Sequence, residues 1–153
     1  MQSQQDTSGV HVWLVLMKAF RALAAHAEKS LNLSRTGLGD SDFRVLEALL
    51  HEGPLPVNTI GPKVWLTPGS ISVAVDRLEK IALVKRKSTD DRRVRMVELT
   101  PKGRVLISKT FRVHAAALEE VAGVLSKEER LTLLRLLKKL GKSEKESSRN
   151  RRD

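Results

Sequence analysis

The chain has no cysteine and no tyrosine, and only two Trp and three Phe among its 153 residues. Without cysteine there are no disulfides, no thiol redox sensing and no cysteine-based zinc sites. The histidines His11, His26, His51 and His114 stand far apart, and no two form the HxxxH or HExxH spacing of a metal-dependent hydrolase. The acids Asp90 and Asp91 fall on an expected exposed turn, a poor place to perturb a pKa. The expectation is a protein that is not an enzyme and has no cofactor and no metal. No run reaches the ~18 uninterrupted apolar residues of a membrane-spanning helix, and the start MQSQQDTSGV lacks the basic region of a signal peptide. A cytoplasmic protein with no membrane partner is expected.

Acidic residues are also short: 18 Asp and Glu against 28 Lys and Arg, a net charge of +10. The imbalance is local. Residues 1–53 carry five basic and six acidic side chains, whereas 54–104 carry eleven and five. A basic patch on a globular surface fits a polyanionic partner, most often nucleic acid. The length suits one domain with a real core.

The basic stretch is also the most patterned. Thr67-Pro68 is a helix start, because the Thr hydroxyl can accept from a first-turn amide and Pro at N1 gives up an amide that had no partner. Ile71, Val75, Leu78 and Ile81 then recur at steps of four and three, one apolar stripe with Ser70, Ser72, Val73, Asp76, Arg77 and Lys80 elsewhere around the cylinder. Leu83 to Lys87 and Val94 to Leu99 read as strands, joined by the turn formers Ser88-Thr89-Asp90-Asp91. Thr100-Pro101 repeats the Thr-Pro start.

Helix, basic hairpin and second helix start make the later half of a winged helix-turn-helix. Asp76-Arg77-Leu78-Glu79, Leu83-Val84, Asp91-Arg92-Arg93 and Leu99-Thr100-Pro101-Lys102-Gly103-Arg104, in that order, resemble the signature of the MarR family of bacterial transcriptional regulators. The departure is Ala82, where the family has Gly, so the helix exit there is expected to form differently.

The flanking chain fits this frame. Val10 to Leu31 reads as a helix apolar on more than one side, with Trp13, Met17, Phe20 and Ala24 in one row and Val12, Leu16 and Leu23 widening it. Asp40 or Ser41 can cap a helix that ends at Gly53-Pro54, and Val57 to Val64 is a short helix in which Gly61-Pro62 is unfavourable unless Pro62 lies in the first turn. Trp65 is expected to anchor packing. Ser126-Lys127-Glu128-Glu129 is a capping box opening a last helix that Gly141 stops, and the charged remainder has no apolar anchor and is expected to be disordered. The expected fold is mainly α with a small β-hairpin wing: a winged helix-turn-helix over 38–104, dimerisation helices over 10–36 and 105–141, and a tail over 142–153.

For a winged module the Thr67 helix enters the major groove and the hairpin tip reaches the adjacent backbone or minor groove. The contact set drawn from this is Asn58, Thr59, Lys63, Thr67, Ser70, Ser72, Val73, Arg77, Lys85, Arg86, Lys87, Asp91, Arg92 and Arg93. Serine hydroxyls discriminate bases weakly, and Val73 can meet a thymine methyl but not a guanine edge. Weight therefore shifts to Arg92 or Arg93 in a narrow minor groove, with Asp91 orienting it; the resemblance favours Arg93. Arg77 can instead serve an internal salt bridge. The resemblance further implies a homodimer on a pseudo-palindromic duplex operator, acting as a repressor and released by a small aromatic effector in a crevice lined by His11, Trp13, Met17, Arg21, Phe43 and Arg44. A nonspecific or architectural DNA binder, or a protein-assembly module, is the alternative.

Overall fold

The computed structural model describes residues 6–88 and 95–149, without the side chains of Leu33 and 143–149. The element order is α1 (Gly9–Leu33), α2 (Asp40–Glu52), β1 (Leu55–Pro56), α3 (Val57–Val64), α4 (Pro68–Lys80), β2 (Val84–Ser88), β3 (Arg95–Leu99), α5 (Pro101–Ala122) and α6 (Lys127–Arg149). The chain divides into two compact units, Met1–Ala117 and Leu118–Asp153.

In the first unit, α2, α3 and α4 pack around one core. Phe43, Val45, Leu46 and Leu49 of α2 meet Ile60 of α3, Ile71, Ala74, Val75 and Leu78 of α4, Val84 and Val97 of the sheet and Ile107 of α5. The sheet has the order β1-β3-β2 and is antiparallel throughout. Its β1 strand is absent from the sequence reading, because two residues ending in Pro carry no periodicity and exist as a strand only through Leu55 and Pro56 opposite Val97 and Met96.

The helix ends follow local chemistry. Thr67 caps α4 through its hydroxyl, which accepts from the Ser70 amide at 3.2 Å. The α4 exit is a Schellman motif: the Leu83 amide donates to Leu78 O and the Ala82 amide to Glu79 O, each at 2.9 Å. Ala82 takes φ +59 there. The exit thus keeps the left-handed geometry that Gly would favour, contrary to the expectation of a different exit, and Ala82 bears the Cβ crowding. Thr100 closes the wing root, its hydroxyl donating to Ala82 O at 2.8 Å and accepting from the Gly103 amide at 2.9 Å. Gly103 is required because a Cβ would stand 1.9 Å from Leu83 O.

Three boundaries differ from the sequence reading. Helix α2 begins at Asp40, and Asp42 rather than Asp40 or Ser41 accepts from the Gly39 amide at 3.2 Å. Pro62 lies inside α3, beyond the first turn, where the amide it lacks removes one bond to the carbonyl four residues back. Helix α6 runs through Gly141 to Arg149. A helical Gly costs about 1 kcal/mol relative to Ala but stops nothing unless the chain turns left-handed there.

Helix α1 leaves Val10, Val12, Trp13, Leu14, Val15, Phe20 and Leu23 exposed. Gly9–Asn32 is long and apolar enough, by length and composition, to cross a membrane, which a search for uninterrupted apolar runs misses, and none of its most apolar window is buried. In the second unit, α6 opens with the expected capping box: the Ser126 amide donates to Glu129 Oε2 at 2.7 Å and the Glu129 amide to Ser126 Oγ at 3.2 Å. Its Leu131, Leu133, Leu134, Leu136, Leu137 and Leu140 are exposed.

Candidate nucleic-acid interface

The outward face of α4 is short of base-reading donors. The Thr67 hydroxyl donates to Ser70 Oγ at 2.9 Å, and Ser72 Oγ donates back to Pro68 O at 3.0 Å. Each hydroxyl therefore spends its one proton inside the first turn. Val73 presents methyls, 59% exposed, and Ser70 is exposed beside it. Methyls and lone pairs read a thymine methyl or an exocyclic amine but cannot form the bidentate pair that selects guanine. Asn58 and Thr59 are exposed on α3, the Thr59 hydroxyl donating to Pro56 O at 2.9 Å.

Most of the cations taken from the sequence as phosphate contacts are engaged within the module. Arg77 grips the buried Asp42 carboxylate, Nε at 3.0 Å from both oxygens and Nη2 at 2.6 Å from Oδ1, and this bond and charge raise the Arg77 pKa above its ordinary value. Arg86 reaches back from β2 to α4, pairing with Asp76 at 2.5 Å and with Glu79; its own amide donates to Glu79 Oε1 at 3.1 Å. Lys85 pairs with its cross-strand partner Glu98 at 3.0 Å, and the hydrogen bond from Lys85 holds the Glu98 carboxyl below its usual range. Lys63 pairs with Glu52 at 2.6 Å. Lys87 and Arg95 are exposed and make no ion pair among the described residues. Arg95, opposite Ser88, is missing from the sequence-derived contact set, although the alternation of Val94-Arg95-Met96 placed it on the polar side of its strand. Asp91, Arg92 and Arg93 lie outside the described residues.

Between α3, α4 and the wing root lies an open groove of about 570 Å³, walled by Asn58, Gly61, Leu66, Pro68 and Ser72 and rimmed by Arg86 and Arg95. Its floor depends on Gly61, whose carbonyl accepts from the Leu66 amide at 2.9 Å and whose added Cβ would stand 3.0 Å from Leu66 O. Trp65 turns the chain out of α3 with φ +59 and is 89% exposed. It anchors no packing, contrary to the sequence reading, because the left-handed turn that leads α3 into α4 leaves its side chain outside the core.

The six residues expected to line an effector crevice lie on α1 and α2. His11 stands 3.9 Å from Asp6 at the start of α1. Trp13 is 60% exposed, Met17 half-buried and Arg21 exposed. Phe43 is buried against the His114 ring at 4.7 Å, and Arg44 pairs with Asp40 at 2.9 Å and donates to Val64 O at 3.3 Å. None of them walls the groove above or a second cavity, of about 730 Å³, between the α1–α2 connection and the first half of α5. That cavity has Val105, Leu106 and Val113 on its apolar side, Arg35, Lys102 and Lys109 as cations, and no acid. Among the described residues no cluster of His, Cys, Asp or Glu could hold a metal.

Comparison with known proteins places this geometry. The MarR family model matches residues 38–94. The chain is 38% identical over 136 residues to the HTH-type transcriptional regulator MhqR of Bacillus subtilis (strain 168), covering 88% of this chain and 92% of that one. AbsC, a MarR family transcriptional regulator from Streptomyces coelicolor, shares the fold with a TM-score of 0.80 at 21% identity, over 94% of this chain and 99% of its own. NadR, solved in complex with 4-hydroxyphenylacetate, matches with a TM-score of 0.71 at 26% identity, over 92% of this chain and 97% of its own.

Proposed function

We propose, from the premise that the chain belongs to the MarR family of DNA-binding transcriptional regulators, that it is a homodimeric, operator-specific repressor released by a small aromatic anion. The observation that carries the dimer is the exposed apolar surface of α1 and α6. Side chains such as Trp13, Phe20 and Leu134 standing in water are the kind of surface that a second copy covers. A twofold pair presents two α4 helices to half-sites about one DNA turn apart, and such a dimer seated on an operator obstructs polymerase. The first half of α4 reads methyls and amines, one of the wing arginines, Arg92 or Arg93, enters the narrow groove with Asp91 orienting it, and Lys87 holds the backbone. The interior of a cytoplasmic dimer also accounts for the apolar length of α1 without a membrane.

Selection of bound duplexes from a random pool by the purified protein tests this reading. Enrichment of a pseudo-palindrome by a sedimenting dimer is the expected result. A folded monomer at micromolar concentration, or equal affinity for random duplex, would leave only a nonspecific or architectural binder.

For the effector, the cavity beside α5 supplies an apolar wall, three cations and no competing acid, a chemistry that suits an aromatic ring bearing a carboxylate or phenolate. NadR, which shares 26% identity, was solved with such a compound. Titration of 4-hydroxyphenylacetate and simple phenols against the operator complex should release DNA, and an Arg35→Ala/Lys109→Ala variant should keep its operator affinity yet lose the response. Release that is intact in this variant would place the effector elsewhere.

A further inference from the structure

Trp65 is the most exposed large apolar side chain described, at 89%. It also occupies a left-handed backbone conformation, φ +59 and ψ +40, which crowds any Cβ and which Gly adopts freely. Two unfavourable features thus coincide at one residue, and neither is offset by packing within the chain. Its position is specific. It is the turn between α3 and α4, two residues ahead of the Thr67 cap and next to Leu66, which with Pro68 walls the groove rimmed by Arg86 and Arg95. In helix-turn-helix docking the first helix crosses the sugar-phosphate backbone and the second enters the groove by its N-terminal residues, so the turn joining them lies at the groove edge.

We infer that Trp65 is a DNA-backbone contact, its indole face lying against deoxyribose and its Nε1–H donating to a phosphate oxygen. Trp suits such a boundary because it is apolar over most of its surface and has one donor at its edge. The contact supplements an α4 face with few donors and reads no base. The inference rests on the DNA-binding reading above and extends it to a residue outside the helix and the wing tip.

The chain has two tryptophans, so the Trp13→Phe variant, once sedimentation and duplex affinity match the parent's, leaves Trp65 as the sole indole emitter. Titrated with the duplex selected above, its emission should shift to the blue and become shielded from acrylamide as the complex saturates. Trp65→Gly should melt at a higher temperature than the parent, since it removes the left-handed crowding, yet bind the duplex about tenfold more weakly with an unaltered salt slope. Trp65→Phe should recover part of that loss. A merely structural residue would not give higher stability with lower affinity. Two results would overturn the inference: Trp65 emission unmoved at saturating duplex, or parental affinity in Trp65→Gly. Emission that changes with protein concentration and not with DNA would assign Trp65 to contact between copies and overturn it as well. A parent chain that binds no duplex would instead remove the DNA reading itself.

Discussion

Arg77 separates a structural from a DNA-binding role most cleanly. Three of its four hydrogen bonds go to a carboxylate whose side chain is 6% exposed, the fourth reaching Ser41 Oγ at 3.2 Å, while the Arg77 side chain is 47% exposed. In Arg77→Ala, Asp42 would retain the Gly39 amide at 3.2 Å as its one donor. Removing one partner of a fully buried pair costs about 3–5 kcal/mol, and breaking an exposed pair about 0–1. Here one end is dry and the other is reached by water, so the expected loss is about 2 kcal/mol, roughly a thirtyfold shift in the unfolding equilibrium. Urea denaturation followed by circular dichroism at one fixed protein concentration measures it, since dimer stability depends on concentration. Crossing Arg77→Ala with Asp42→Ala should give a coupling energy of about 1.5 kcal/mol, because the double variant buries no orphaned charge. Parental stability in Arg77→Ala combined with a tenfold loss of operator affinity would refute this reasoning and make Arg77 a phosphate contact.

Ala82→Gly, relieving the left-handed exit of α4, should add about 0.5–1 kcal/mol, read as a higher urea midpoint with an unchanged slope. Gly103→Ala has to displace the Leu83 carbonyl that a Cβ would meet at 1.9 Å; it should cost about 3 kcal/mol and collapse the yield of folded protein, checked by far-ultraviolet circular dichroism. With about four phosphates neutralised per protomer, log affinity should fall with log salt at a slope near −7, and Lys87→Ala should reduce that slope by about 1 per protomer whereas Lys85→Ala should hardly change it. The Glu98 carboxyl is held below its ordinary value of 4.5 by Lys85, so its small contribution to stability is present above that value and fades as pH falls through the lowered one; acid titration of Lys85→Ala should show a flatter profile there.

Where the signal was local, the sequence was legible. The Thr67-Pro68 start, the Ser126–Glu129 box and the Thr100-Pro101 junction each depend on residues within four positions, and each formed as read. The β1 strand, the Arg86 pairing and the exposure of Trp65 depend on how distant elements meet, which no spacing along the chain records. Charge was the least legible property. Position marked Lys63, Lys85 and Arg86 as cations on a basic face, but only the docking of β2 on α4, of β3 on β2 and of α3 on α2 brings Asp76, Glu79, Glu98 and Glu52 within reach of them. Glycine erred in the other direction. Gly141, read as a stop, lies within a continuing helix, whereas the turn at Ala82 forms with no glycine at all.

The Arg86 clasp has a mechanical consequence. By tying β2 to both Asp76 and Glu79, it fixes the root of the wing to the C-terminal half of α4, so that in the DNA-binding reading proposed above helix and wing would work as the two jaws of a caliper. A caliper does not adjust to what it measures. For the operator-specific reading proposed above, a duplex whose groove spacing departs from the span of these jaws would have to bend to fit, at an energy set by its own base steps, and operator choice would then fall in part on DNA positions that the protein never touches.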